Sequence, residues 1–185
     1  MGWSLHHPHG LIYHAPQYCH RGYTLFANVR GDEANLIDME GRICHRWHWP
    51  GGINYANLLP NGNLLFHTLA PTGPGPMTGL GGHAGGLVEL DWDGNLAWEF
   101  QNASLEHDFQ RLPNGNTLAL VWEELSSDMT FRVKGGYTTA EDPVRMLGDI
   151  VREFSPSGEV AHEWRSWGHL NFDEDVICPL EGRRE

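Results

Sequence analysis

The chain has 185 residues, 40% of them hydrophobic, enough to bury the core of an ordinary domain. Its formal net charge of −12 argues against nucleic acid or an anionic membrane face as partner, since both demand a basic footprint, and no apolar run approaches the roughly 20 residues a membrane-crossing helix needs. Eight Trp and 23 Gly suit an all-β repeat fold with aromatic packing between sheets.

Residues 1–21 carry five of the twelve histidines, at positions 6, 7, 9, 14 and 20, among Pro and Gly. The expectation is an irregular arm packed on the first structural unit; a metal-binding tract is the sharper alternative, but an irregular segment fixes no ligand geometry. The first ten residues have neither a positive n-region nor an apolar h-region, which favours a cytoplasmic location, or a periplasmic or secreted one for a mature form. Cys19, Cys44 and Cys178 are odd in number and widely spaced, a pattern of free thiols and not of a disulfide framework.

Strand signals begin at Gly22. Tyr23–Asn28, Ala34–Met39 and Arg42–Trp49 read as three strands of an incomplete first blade over residues 22–50. A full blade over 53–101 follows, with strands at Ile53–Pro60, Asn63–Leu69, Gly86–Asp91 and Asn95–Phe100. The next, over 105–167, has strands at His107–Pro113, Thr117–Glu123, Asp149–Ser155 and Glu159–Arg165. A fourth unit over 169–185 opens at His169-Leu170-Asn171-Phe172.

Two repeats fix this division. Leu59-Pro60-Asn61-Gly62-Asn63 recurs as Leu112-Pro113-Asn114-Gly115-Asn116, 53 residues on. The segment around Asp38-Met39-Glu40-Gly41 recurs around Asp91-Trp92-Asp93-Gly94 and Ser155-Pro156-Ser157-Gly158, with glycines 53 and then 64 residues apart. Short alternating strands joined by Asn-Gly, Asp-Gly and Ser-Gly turns at this period are the pattern of a β-propeller of four-stranded antiparallel blades. About three blades' worth is present, and a propeller closes with roughly four to eight. The remaining blades are therefore expected from a C-terminal half, a second chain or self-association.

The alignment also assigns packing. His45 and His162 fall in register with Trp98, and Trp47, Phe100 and Trp164 with one another, so all are expected between sheets. Where the copies differ a site is suspected: His107 and Asp108 stand where the preceding copy has Asn54 and Tyr55. The long loops 70–85 and 124–148 are expected on the same end as His107, around the mouth of a central channel. His83, in a Gly-rich loop, is a third candidate there, and His169 and Asn171 hold the corresponding entrance of the next unit.

The motifs together, Gly22-Tyr23-Thr24-Leu25-Phe26, Asn35-Leu36-Ile37-Asp38-Met39-Glu40-Gly41, both Leu-Pro-Asn-Gly-Asn turns and His107-Asp108-Phe109, resemble the bacterial arylsulfotransferase family. The resemblance covers nearly the whole chain from Gly22 onward. It implies a propeller, six-bladed when complete, that moves a sulfuryl group from an aryl sulfate to a phenol through a transiently sulfated channel histidine, helped by other histidines and an arginine. His107 corresponds to one of the supporting channel histidines. Asn54, Tyr55, His83, Asp108, Arg111, His169 and Asn171 are then the substrate-binding candidates and the substrate is a small aromatic molecule; no cofactor is expected, and a metal is an open alternative that is not predicted.

The chemistry fits those residue types. A neutral imidazole, with a reference pKa of about 6.5, can act as nucleophile or base near neutral pH. Donors must stabilise the sulfonate oxygens and the departing phenolate, and in so acidic a chain the funnel must be locally basic. Arg111, Arg132, Lys134 and Arg145 are the cations expected within reach. Two other classes remain open: a His-ligated metal-dependent lyase or oxygenase, and a kelch-like interaction module without catalysis.

Overall fold

The computed structural model of the protein describes residues 11–28, 30–73, 77, 79–133, 146–172 and 174–175. Within them the chain is all-β, with eleven strands in three antiparallel sheets and one short helix. Strands β1 (Thr24–Ala27), β2 (Glu33–Ile37) and β3 (Ile43–His48) form the first sheet. The second contains β4 (Ala56–Leu58), β5 (Leu64–Leu69), β6 (Ala84–Leu90) and β7 (Leu96–Gln101). The third contains β8 (Leu105–Arg111), β9 (Thr117–Glu124), β10 (Leu147–Phe154) and β11 (Val160–Arg165). Among the described residues, no helix is long and apolar enough to cross a membrane.

The three sheets share one register. Thr24 opposes Ile37, Leu64 opposes Leu90, and Thr117 opposes Phe154, three equivalent pairs. The pairing of the last two strands of each sheet then slips at the same place, Leu36/Ile37, Glu89/Leu90 and Glu153/Phe154. The cause lies in the turns. Gly41, Gly94 and Gly158 all take positive φ (77°, 85° and 87°), a conformation that costs a residue with a Cβ, and each donates its N–H back to the residue three positions earlier. That residue's side chain finishes the turn: Asp38 Oδ1 accepts from Arg42 N, Asp91 Oδ1 from Asn95 N, and Ser155 Oγ from Glu159 N. Asn95 holds the Asp91 carboxyl below the usual carboxylate range, first through its side chain and then through its backbone N–H.

The Leu-Pro-Asn-Gly turns are equally alike. Asn61 and Asn114 each accept from the backbone N–H two residues on, and Asn63 and Asn116 each reach across the sheet to Glu89 and Glu153 at 2.6 Å. A repeated turn sequence therefore fixes a repeated register, because a one-residue slip would send every side chain to the opposite face.

The chain forms two compact units, Met1–Thr72 with Ala84–Asn102, and Gly73–His83 with Ala103–Glu185. In the first, the first two sheets pack face to face. Ala34, Leu36 and Trp47 from one meet Ile53, Leu64, Phe66, Val88 and Leu90 from the other in a single buried cluster. Trp47 is fully buried, and its Nε1 donates to Asp91 O at 3.0 Å, so the one polar atom of the ring is satisfied where burial would otherwise penalise it. His45 stacks on Trp92 with ring centroids 3.9 Å apart, a packing role in keeping with its alignment to Trp98.

The second unit holds the third sheet and departs from the sequence reading in several places. Trp164, equivalent to Trp47, is 43% exposed and stacks on His169, and His162 is exposed. Neither is enclosed between sheets; the shared register fixes which face they occupy, and only an opposing surface would bury them. In the loop 124–148 the chain forms a one-turn-and-a-half helix, Ser127–Arg132, because Ser126 caps it by accepting from Met129 N. No strand opens at His169: Ser166–His169 is a 3-10 turn, and Asn171 N donates to Asp175 Oδ2, which closes a further turn. Cys19 and Cys44 are free and exposed, while Cys178 and the histidines at 6, 7 and 9 lie outside the described residues.

Burial separates the two equivalent tryptophans energetically. Trp47→Ala should lower stability by about 3–5 kcal/mol through lost contacts and an unfilled cavity, while Trp164→Ala should cost about 1 kcal/mol or less. Urea unfolding of the two variants checks the contrast, and equal losses would show that Trp164 is packed as tightly as Trp47.

Candidate functional site

The third sheet carries one irregularity that the other two lack. On β8, Glu106 opposes Leu120 and Phe109 opposes Ala119, so one step along β9 is matched by three along β8. Two residues, His107 and Asp108, are thus extruded from the ladder. An even insertion preserves the alternation of faces, and Phe109 resumes the buried position that His107 would otherwise occupy. His107 itself takes φ of +32°, uncommon for a residue with a Cβ, and its N–H donates to Gly82 O at 2.9 Å. Neighbouring residues on a regular strand point to opposite faces; here the twist at His107 turns its ring back toward Glu106.

A carboxylate–imidazole pair results. His107 Nδ1 lies 2.6 Å from Glu106 Oε2, with the carboxyl side chain 4% exposed and the imidazole 58% exposed. A buried carboxylate accepting from Nδ1–H fixes the tautomer, and Nε2 is left as the basic nitrogen on the solvent side. Trp122 stands edge-on to the His107 ring, centroids 5.9 Å apart, and its Nε1 donates to Asp149 Oδ1 at 3.1 Å. Trp122 and Asp149 are cross-strand partners.

Burial pushes the Glu106 carboxyl above its ordinary range. The hydrogen bond from His107 pulls the other way, and Asp149 adds to the rise through its charge and a side-chain hydrogen bond. Glu106 thus stands between two groups that act on its proton affinity in opposite directions, Asp149 raising it and His107 lowering it.

The sequence candidates fall into three groups. His83 joins the site: its backbone bridges Glu106, its Nε2 bonds Ala103 O at 2.8 Å, and its ring centroid lies 6.3 Å from that of Trp122. Asp108, adjacent in sequence to His107, turns to the backbone, where its Oδ1 accepts from Phe109 N at 2.7 Å, and the ring of His107 is paired with Glu106 instead. Arg111 sits at the other end of β8, where Nη1 donates to Gly115 O and braces the turn, and Arg132 lies over the Phe172 ring at 5.0 Å. His169 and Asn171 belong to the local turns already described and not to a strand entrance. Lys134 and Arg145 lie outside the described residues.

Asn54 and Tyr55 belong to the first unit and face His67 in a smaller irregularity: Asn54 N donates to His67 O and His67 N to Tyr55 O. Sequence reading missed Glu106, Trp122 and Asp149. One signal was legible: His107 stands midway between Leu105 and Phe109, where alternation demands a buried apolar residue, and such a break marks a bulge. Among the described residues no group of three or more His, Cys, Asp and Glu side chains is arranged to hold a metal ion.

No family model matches the sequence, and no curated protein matches it. One similar solved structure is a protein of unknown function from Bacteroides caccae, with 16% sequence identity and a TM-score of 0.46. The alignment covers 86% of this chain and 51% of that one, so the chain spans about half the length of that protein.

The Glu106 carboxyl binds its proton more tightly in the folded chain than in the unfolded one. Its contribution to stability is full below the ordinary value of 4.5 and is lost as pH rises through the raised folded value. Glu106→Gln removes that dependence. The stability of the variant relative to the parent, measured by urea unfolding at a series of pH values, should therefore rise from acid toward neutral pH, and a flat difference would refute the perturbed carboxyl.

Proposed function

We propose that the chain forms part of a β-propeller enzyme that transfers a sulfuryl group from an aryl sulfate to a phenol, with His107 moving the proton. The shared register and turns of the three sheets support the propeller frame, and further blades come from additional polypeptide. The observation that carries the catalytic reading is the exposed His107 imidazole held by buried Glu106 through Nδ1, which leaves Nε2 free to act beside the indole of Trp122.

In this reading the acceptor phenol binds with its hydroxyl at His107 Nε2 and its ring against Trp122, an aromatic surface suited to an aryl group. Nε2 takes the phenol proton as the acceptor oxygen forms its bond to sulfur, and the imidazolium is stabilised by the Glu106 carboxylate. That acceptor step breaks the S–N bond of a sulfated second histidine. The S–N bond formed in the preceding donor step, when the donor S–O bond broke and His107, carrying the proton gained in the previous turnover, gave it to the released phenolate. Overall one aryl sulfate and one phenol become the exchanged pair, with no net proton gained or lost. The resemblance implies a second histidine that carries the sulfuryl group between these two events, and an arginine for the sulfonate oxygens.

Positioned acid–base catalysis contributes about 10²–10⁴-fold. His107→Gln should therefore lower kcat/KM with a chromogenic aryl sulfate and a phenol acceptor by about 10²-fold or more. Undiminished turnover in this variant would remove His107 from the mechanism. Failure of the complete protein, with its remaining blades present, to turn over any donor–acceptor pair in a broad screen would remove the reaction class.

A further inference from the structure

Among the described residues the first sheet has three strands against four in each of the others, and the shared register identifies which one has no counterpart. Its turn at Asp38-Met39-Glu40-Gly41 joins β2 to β3 as the turns at Asp91 and Ser155 join the third strand to the fourth in the other sheets. Strand β1 is therefore the counterpart of β5 and β9, and β3 of β7 and β11. What is missing is the counterpart of β4 and β8, the strand that ends in Leu-Pro-Asn-Gly.

The open edge of β1 is already arranged to receive it. Leu25 opposes Leu36 and Ala27 opposes Ala34, as Leu65 opposes Glu89 and His67 opposes Leu87 in the second sheet. There the backbone of His67 bonds Tyr55 and Asn54 on the first-strand side, so Leu65, two residues earlier, turns its N–H and C=O the same way. In the third sheet Leu118 and Leu120, the residues equivalent to Leu25 and Ala27, oppose Gln110 and Glu106 of β8.

By that equivalence the N–H and C=O groups of Leu25 and Ala27 point away from β2, and among the described residues β2 is the strand that pairs with β1. Their side chains pack against the core shared with the second sheet, which holds the strand in place. Thr24 and Phe26 alternate with them onto the opposite face of the sheet, where Phe26 is 41% exposed. A fixed, exposed row of unpaired donors and acceptors is a template for an added strand.

We propose that the free edge of β1 binds, antiparallel, an extended segment of the β4 type, an apolar–polar–apolar strand leading into Leu-Pro-Asn-Gly. Backbone bonds from Leu25 and Ala27 supply the affinity, and the register of the other two sheets supplies the alignment. This inference rests on strand pairing alone and stands or falls apart from the sulfuryl-transfer reading.

The test adds a synthetic peptide with the sequence of residues 53–63 to the full chain and follows amide hydrogen exchange. The amides of Leu25 and Ala27 should slow by about tenfold or more at saturating peptide, with the amides of the third sheet unchanged. A peptide N-methylated at the position of Asn57, whose N–H lies on the bonding edge, should give no slowing, and this control leaves the chain itself untouched. Ala27→Pro, which removes one outward N–H, should abolish binding while the circular dichroism of the sheets is retained. Lack of protection by the parent peptide would overturn the proposal. So would equal protection by the N-methylated peptide, or edge amides protected beforehand in a dimer formed through β1 of a second copy.

Discussion

The alternation of side chains along a strand is the constraint on which the rest of this structure depends. With a period of two, a pairing register decides which residues are buried, and a slip of one residue reverses every assignment. The protein pins that register with turns in which a positive-φ glycine permits the reversal and an Asp, Asn or Ser side chain completes the backbone bonding. The cross-sheet contacts of Asn63 with Glu89 and of Asn116 with Glu153 extend the same control into the strands, and the Asn116 and Asn114 side chains hold the Glu153 carboxyl below its usual range. Each sheet therefore presents an equivalent face at equivalent positions.

Against that regularity the candidate site is a local exception that leaves the frame intact. Inserting two residues, not one, into β8 lets His107 and Asp108 leave the ladder while Leu105 and Phe109 stay on the buried face. The positive φ at His107 then converts two neighbours that should diverge into a bonded pair. Glu106 loses hydration by burial, which raises its proton affinity; the hydrogen bond from His107 lowers it and Asp149 raises it further. Such coupling between a buried carboxyl and an exposed base is suited to moving protons. The same geometry without a substrate nearby would be a costly irregularity, since a strained backbone and a buried acid both reduce stability.

The first and third sheets differ in what they leave uncovered. In the first, among the described residues no strand pairs with the outer edge of β1, while Leu25 and Ala27 remain anchored in the core. In the third, the edges are those of a complete four-stranded sheet, and a side-chain surface is left open, with Trp164 resting on His169 where Trp47 is enclosed. Backbone edges and apolar faces select different partners, because the former recognise any extended segment in the right alignment and the latter require a shape-matched surface.

The sequence by itself determined the strands, the turns and the register. Turn chemistry is local: Gly62 and Gly115 need positive φ, and the Asn beside each bonds within two or three residues, so the spacing of Leu-Pro-Asn-Gly carries the whole instruction. It also singled out His107, because that residue departs from its counterpart in the repeat. Only the tertiary structure decided the partner of His107. The alternation rule sends Glu106 away from His107 and makes Asp108 no better placed, and a bulge that overrides the rule is a property of pairing with β9, not of β8 alone. Trp122 and Asp149 reach the site across strands separated by a long connection, and Trp164 stays exposed for want of an opposing surface; neither fact is written in local spacing, since both depend on what lies opposite in space.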